Sequence, residues 1–158
     1  MEAFGLEVAY HARRPQPDLA YRHYPDLLAM ASDMDTLVVI VPGGAATRHM
    51  INAEVLKALG PEGVVVNVAR GSVVDEEALI AALRNGTILA AGLDVFAEEP
   101  KVPEALIAMA NVVLLPHVGS ATHHTRNGMG QLVVDNILSW YNGNGPLTPV
   151  PETPCPKA

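Results

Sequence analysis

A chain of 158 residues with 49% hydrophobic and 17% charged residues is sized for one domain and can bury a substantial core, which excludes global disorder. A formal net charge of −7 argues against nucleic acid as a partner, no apolar run is long enough to span a bilayer, and residues 1–14 lack the charged-then-apolar order of a signal peptide. The single cysteine, Cys155, excludes an internal disulfide and a cysteine metal cluster, so the chain reads as a soluble cytoplasmic protein without a metal site.

EAFG (2–5) reads as the end of a helix, and LEVAYH (6–11) as a strand followed by the basic turn HARRP. TLVVIV (36–41) is an apolar run stopped by Pro42-Gly43-Gly44. Asn52 is placed to cap a short helix running to Leu59. GVVVNV (63–68) is the next strand and ends at Ala69-Arg70-Gly71. Asp75 caps a helix over EEALIAALR, with acids in its first turn and Asn85-Gly86 at its end. TILAAGLDV (87–95) is a strand, residues 102–109 a short helix, and NVVLLP (111–116) the last strand. A final helix is predicted from near Ser120 or Ala121 to about Asn142, because Met129, Leu132, Val133, Asn136, Ile137 and Trp140 keep helical spacing. Beyond Gly145, proline recurs every few residues and excludes a helix, so 146–158 reads as an extended tail leaving the domain.

The alternation of strand and helix predicts an α/β fold, a Rossmann-like doubly wound parallel sheet. The strands are rich in Val, Ile and Leu without polar alternation, which predicts burial on both faces. A dinucleotide-binding sheet opens with a strand and G-x-G-x-x-G, and no such spacing of glycines occurs here. In the Rossmann order the first strand is central. Residues 1–145 therefore read as a partial NAD(P)-binding domain lacking its first strand and glycine-rich loop, with the substrate-binding domain absent. The expectation is a reading frame that continues upstream of Met1 to supply both.

Residues just past the carboxyl ends of parallel strands line the ligand crevice. Arg70, Glu99 and His117 each occupy such a position and could meet in space. Taken singly, Arg70 reads more readily as a surface ion-pair partner, Glu99 as a solvated loop acid and His117 as a capping or core histidine. Three stretches carry more than that: VNVARGSVVDEEAL (66–79), AGLDVFAEEP (91–100) and LLPHVGSAT (114–122). With them the chain resembles the D-isomer-specific 2-hydroxyacid dehydrogenases over nearly all of residues 1–150. HARRP, EEPKVPEAL and GPLTPVPE resemble the glyoxylate, hydroxypyruvate and hydroxyphenylpyruvate reductase branch of that family.

The resemblance implies hydride transfer from a nicotinamide cofactor to a small 2-ketoacid, giving a D-2-hydroxyacid. Arg70 would grip the substrate carboxylate, for which its planar two-pronged fork is suited. His117 would donate a proton to the keto oxygen; imidazole, with an unperturbed pKa of about 6.5, can give and take protons near neutral pH. Glu99 would hold His117 in place and favour its protonated form. The resemblance further implies that Asp94 binds the nicotinamide carboxamide, that Val68 and Gly119 contact the ring through backbone with Ser120 beside them, and that Pro42 borders the ribose. Thr47 is a weaker carry-over, since Gly43-Gly44 replace bulkier residues in that loop.

At the end of the second Rossmann strand a carboxylate usually accepts the ribose hydroxyls of NAD. Here HARRP has no acid, and Arg13 and Arg14 are donors suited to a 2′-phosphate, so NADP is expected rather than NAD. The alternative is a merely basic turn before Pro15. His123 and His124 are helix neighbours about 100 degrees apart and cannot both face one site. They read as pocket-mouth, interface or solvated residues, and His23 and His49 as surface or loop residues. The family likeness implies a homodimer for the complete protein. Two other readings stand beside the reductase: a non-catalytic, corepressor-like nucleotide-sensing module of the same fold, and a truncated chain inactive by itself.

Overall fold

The computed structural model describes residues 2–150; Cys155 and the end of the Pro-rich segment lie outside the described residues. The chain forms two compact units that meet in sequence between His117 and Val118.

The first unit holds β1 (Ala9–His11), β2 (Arg22–Tyr24), α1 (Leu27–Asp33), β3 (Thr36–Val39), α2 (Ala53–Leu59), β4 (Val64–Asn67), α3 (Glu76–Arg84), β5 (Ala90–Leu93), α4 (Glu104–Ile107) and β6 (Val112–Leu114). This is the α/β, Rossmann-like arrangement read from the sequence, with every strand pair parallel. The strands make two sheets, a β1-β2 pair and a four-stranded β3-β4-β5-β6 sheet. Each crossover within the larger sheet carries one helix, as a parallel connection requires. The helix starts follow their caps: Asn52 Oδ1 accepts from the N–H groups of Glu54 and Val55 at 3.0 and 3.1 Å, and Asp75 Oδ1 from Ala78 N–H at 3.1 Å.

The sequence reading had no strand at 22–24 and no helix at 27–33. Arg-His-Tyr has no apolar run to announce a strand. It is held by parallel pairing to β1, by the Arg22 guanidinium 4.3 Å from the Tyr24 ring centroid, and by Tyr24 Oη donating to Asp33 at 2.7 Å. The helix did leave a signal, because Asp26 caps it by accepting from Leu28 N–H at 3.0 Å.

Burial on both sheet faces is corrected by the structure. Leu37, Val39, Val65, Ala91 and Leu93 point into one core with Ala31, Val55, Leu56, Leu59, Leu79 and Leu83 from the helices. The alternate residues are half-buried in β4 and β5 and open in β3 and β6, where Val38 is 48% and Val113 65% exposed. The helices of this unit pack against one face, so period-two burial appears in strands whose sequence does not alternate.

The second unit is built on α5 (His123–Tyr141), which starts later than the sequence reading placed it because Thr122 caps it, its Oγ1 accepting from Thr125 N–H at 3.1 Å. No residue of α5 is buried. Asn136, counted on the helical stripe, works as a tether: its Oδ1 accepts from Leu147 and Thr148 N–H at 2.9 and 3.1 Å. Ser139 Oγ donates to Gly145 O at 2.6 Å, so residues 145–148 turn back along the helix.

One-sided burial makes unequal mutational costs. Leu56→Ala, at a fully buried position, is expected to lower unfolding free energy by about 2–5 kcal/mol. Val113→Ala on the open face should change it by no more than about 0.5 kcal/mol. Urea titrations of both variants check this, and equal losses would contradict the one-faced core.

Candidate active site

Arg70 is placed by the way β4 ends. Asn67, the last residue of that strand, is 1% exposed and uses both ends of its amide on the turn that follows. Its Oδ1 accepts from Ala69 N–H at 3.1 Å and its Nδ2 donates to Arg70 O at 3.0 Å. Gly71 then passes so close to the backbone of Phe96 and Ala97 that any Cβ there would overlap them. A Cβ on Gly43 would stand 2.8 Å from Arg70 Cγ, so that glycine clears the path of the arginine side chain. Arg70 Nη1 donates to Ala69 O at 2.6 Å.

Glu99 follows β5 on a loop tied at both ends. Its Oε1 accepts from Phe96 N–H at 3.0 Å, and Glu76 Oε1, at the start of α3, accepts from Ala97 N–H at 2.7 Å. A cis peptide bond joins Glu99 to Pro100. His117 Nδ1 donates to Glu99 Oε2 at 2.7 Å, which leaves Nε2 as the ring nitrogen for other chemistry. His117 has φ +54, the left-handed region that a side chain enters only when its surroundings hold it there. The pair is partly exposed, 46% for the histidine side chain and 34% for the carboxylate. The Glu99 carboxyl is held below the ordinary carboxylate range, first by the His117 hydrogen bond, then by Phe96 N–H, with smaller help from the positive charges of His117 and Arg70 and some opposition from burial.

Arg70, Glu99 and His117 line one cavity of about 930 Å3, together with Pro42, Val68, Ser72 and Phe96. Parallel pairing in register brings them together, since Asn67 stands opposite Leu93 and Leu93 opposite Leu114. Other sequence-predicted residues lie elsewhere. Thr47 Oγ1 donates to Pro42 O at 2.7 Å and closes the 42–47 loop. Asp94 is buried at 4% exposure, its N–H donating to Asn67 O at 3.0 Å. Arg13 and Arg14 are exposed beyond β1 and, among the described residues, enter no ion pair. Their turn is braced by His11 Nδ1 donating to Tyr24 O and His23 Nε2 to Ala12 O, each at 2.9 Å. Gly119 and Ser120 belong to the second unit, as do the exposed His123 and His124. Among the described residues no group of three or more His, Cys, Asp or Glu is placed to hold a metal ion, and no helix is long and apolar enough to cross a membrane.

Asn67, Gly71 and Glu76 were missed as site-builders. Asn67 had a signal, a lone amide in an otherwise apolar strand. Gly71 and Glu76 had none that local sequence could supply, because each acts on a backbone more than twenty positions away.

The lowered Glu99 pKa fixes a pH dependence. The folded state favours the ionised carboxylate, so the stabilisation is complete above the ordinary value of 4.5 and is lost as pH falls through the lowered folded value. Glu99→Gln is expected to be less stable than the parent near neutral pH, with the difference shrinking below pH 4.5. Thermal melts across that range check it; a difference that stays constant into acid would mean the carboxylate is not held in its ionised form.

The fold agrees with what comparison finds. The D-isomer specific 2-hydroxyacid dehydrogenase NAD binding domain matches residues 1–119. Glyoxylate/hydroxypyruvate reductase A of Arabidopsis thaliana is 48% identical over 149 residues, 94% of this chain and 48% of that protein. Hydroxyphenylpyruvate reductase of Plectranthus scutellarioides is likewise 48% identical over 149 residues and is covered to 48%. The crystal structure of an NADPH-dependent glyoxylate/hydroxypyruvate reductase from Sinorhizobium meliloti, in complex with NADP and malonate, superposes with a TM-score of 0.93 at 58% identity, covering 97% of this chain and 48% of that one. The chain spans about half the length of the relatives it matches, and by this match it belongs to the NAD-binding domains of the D-isomer-specific 2-hydroxyacid dehydrogenases.

Proposed function

We propose that this chain supplies the cofactor-binding and proton-donating side of an NADP-dependent reductase that converts a small 2-ketoacid of the glyoxylate or hydroxypyruvate type to the D-2-hydroxyacid. The observation that carries the reading is one cavity lined by an arginine and by a histidine whose Nδ1 is hydrogen-bonded to a carboxylate. The named activities of the relatives, and the NADP and malonate in the Sinorhizobium structure, support it.

The chain's residues fit the cofactor at one end. Two exposed guanidinium groups follow β1, in a turn braced by two imidazole-to-carbonyl hydrogen bonds, and they suit a phosphate on the ribose. When bound, the nicotinamide supplies the hydride. Pro42 and Val68 line the cavity where the cofactor would rest, with Thr47 holding the Pro42 loop.

Arg70 binds the substrate carboxylate through two parallel N–H donors and so fixes which face of the keto carbon is presented. His117 then gives the proton on Nε2 to the keto oxygen as negative charge develops there. Glu99 keeps the ring turned with Nδ1 inward, and its negative charge offsets the positive charge on the imidazolium before transfer. In the reverse direction the same Nε2 takes the proton from the hydroxyl.

A chimera joining the portion of the Sinorhizobium meliloti reductase that precedes the matched stretch to this chain tests both halves of the reading. It is expected to reduce hydroxypyruvate and to prefer NADPH. Neutralising Arg13 and Arg14 together should weaken use of NADPH far more than of NADH; equal losses in steady-state kinetics would remove the phosphate assignment.

In the same chimera His117→Ala is expected to lower kcat by about 100-fold or more, the scale of a lost general acid. Arg70→Ala should raise KM and lower kcat together, because it both binds and orients. A His117 variant with parent-like turnover near neutral pH would show that another group supplies the proton.

A further inference from the structure

We infer that Asn144 is a site of spontaneous covalent modification, where the side-chain amide is lost and an aspartyl or isoaspartyl linkage forms. Asn-Gly occurs four times in the chain, at 85–86, 127–128, 142–143 and 144–145. The reaction needs the following nitrogen free to reach the asparagine Cγ, and glycine, having no Cβ, obstructs that approach least. The fold treats the four pairs differently. Gly128 lies inside α5, where its N–H belongs to the helical ladder. Gly143 N–H donates to Trp140 O at 3.0 Å. Across Gly86 the turn is closed by Asn85 N–H to Ala81 O and Thr87 N–H to Ala82 O, at 3.0 and 2.8 Å, with Ala82, Leu83 and Ile88 buried on either side. Gly145 N–H, by contrast, has no acceptor among the described residues. Asn144 is exposed, and its side-chain amide makes no hydrogen bond among the described residues. The ties beside the pair are Asn144 N–H to Ser139 O at 3.0 Å and Ser139 Oγ to Gly145 O at 2.6 Å. They leave the Gly145 nitrogen open, and no buried residue of α5 backs them.

Gly145 N attacks Asn144 Cγ, the Cγ–Nδ2 bond breaks, and Nδ2 leaves as ammonia with the proton that Gly145 N gives up. The product is a cyclic imide that water reopens. Where the new Cγ–N bond is cleaved, an ordinary aspartate remains. Where the original bond from the Asn144 carbonyl carbon to Gly145 N is cleaved, the chain continues through Cγ, with an extra carbon in the backbone and a free carboxylate. Water is the only co-reactant, and nothing is oxidised or reduced. The aspartyl form only adds a negative charge at an exposed position. The isoaspartyl form displaces the chain that follows, where Asn136 Oδ1 accepts from Leu147 and Thr148 N–H at 2.9 and 3.1 Å. It therefore loosens residues 145–148 from α5. None of this rests on the reductase reading, and the test needs no turnover.

The full chain is incubated in mildly alkaline buffer at physiological temperature, with and without urea, and sampled over days. Peptic digestion in acid, which suppresses further reaction, followed by chromatography and mass spectrometry resolves the Asn, Asp and isoAsp forms of each pair. In the folded chain Asn144 is expected to convert about tenfold faster than Asn127 or Asn142, the scale of one backbone hydrogen bond that must open first, and ahead of Asn85. In urea, where no such bond remains, the four rates should converge. Another leading site in the folded chain, or the same ranking and spacing in urea, overturns the inference. Amide hydrogen exchange then reads the consequence. Leu147 and Thr148 are expected to exchange faster in the isoaspartyl form than in Asn144→Asp, which carries the charge without the lengthened backbone. Equal exchange in the two forms overturns the loosening of the 145–148 turn.

Discussion

Where the chain turns after Arg70, its backbone lies directly against that of Phe96 and Ala97, with no room for a side chain at Gly71. The geometry of the cavity depends on this contact. β4 and β5 run in register to a common edge, but register alone would let the loops beyond them diverge. The glycine lets the two loops touch, and Asn67 and Glu76 lock one on each side: the first holds the Arg70 turn, the second the loop that carries Glu99. The spacing between arginine and carboxylate is therefore set by backbone contact and by hydrogen bonds to backbone, which vary less than side-chain packing.

The charges in the cavity are divided unequally, and the division supports the proposed roles. The largest influence on Glu99 is the hydrogen bond from His117, and the smallest favourable one is the charge of Arg70. The carboxylate is thus committed to the histidine, and the guanidinium is left with a backbone carbonyl and, among the described residues, no ion-pair partner. A cation so placed, beside a hydrogen-bond donor and in a partly enclosed cavity, favours an anionic ligand carrying an oxygen within reach of the donor. A 2-ketoacid has both.

Much of this was legible in the sequence where local chemistry decides the outcome. Asn52 and Asp75 read as caps because a helix start needs an acceptor, and both act as caps. The larger sheet was legible because uninterrupted Val-Ile-Leu runs ending in Gly or Pro have few other uses. The β1-β2 pair and α1 were harder, since Arg22–Tyr24 is a strand only by virtue of its neighbour and its side-chain ties. Burial was misread for a different reason: an apolar strand shows that both faces can be buried, whereas which face is covered depends on where the helices pack. At the site, residue type and position at strand ends selected Arg70, Glu99 and His117, but the left-handed backbone of His117 and the tie from Glu76 to Ala97 are tertiary facts.

The two regions that would serve one cofactor are held by different means. The cavity is backed by a four-stranded sheet and a continuous core, so its frame is a cooperative property of the larger part of the unit. The Arg13-Arg14 turn hangs from a parallel pair of only three residues per strand, too short to be stable by its own ladder. Side chains make up the difference across that pair: His11 to Tyr24 O, His23 to Ala12 O, the Tyr10–His23 ring contact at 5.1 Å, and the Tyr24–Asp33 bond that fastens β2 to α1. Both imidazoles donate to carbonyls and so brace the turn through the backbone, leaving the two guanidinium groups exposed. Residues 13 and 14 can therefore be changed with little effect on the core, whereas a change at His11, His23 or Tyr24 acts on the strands that carry the turn.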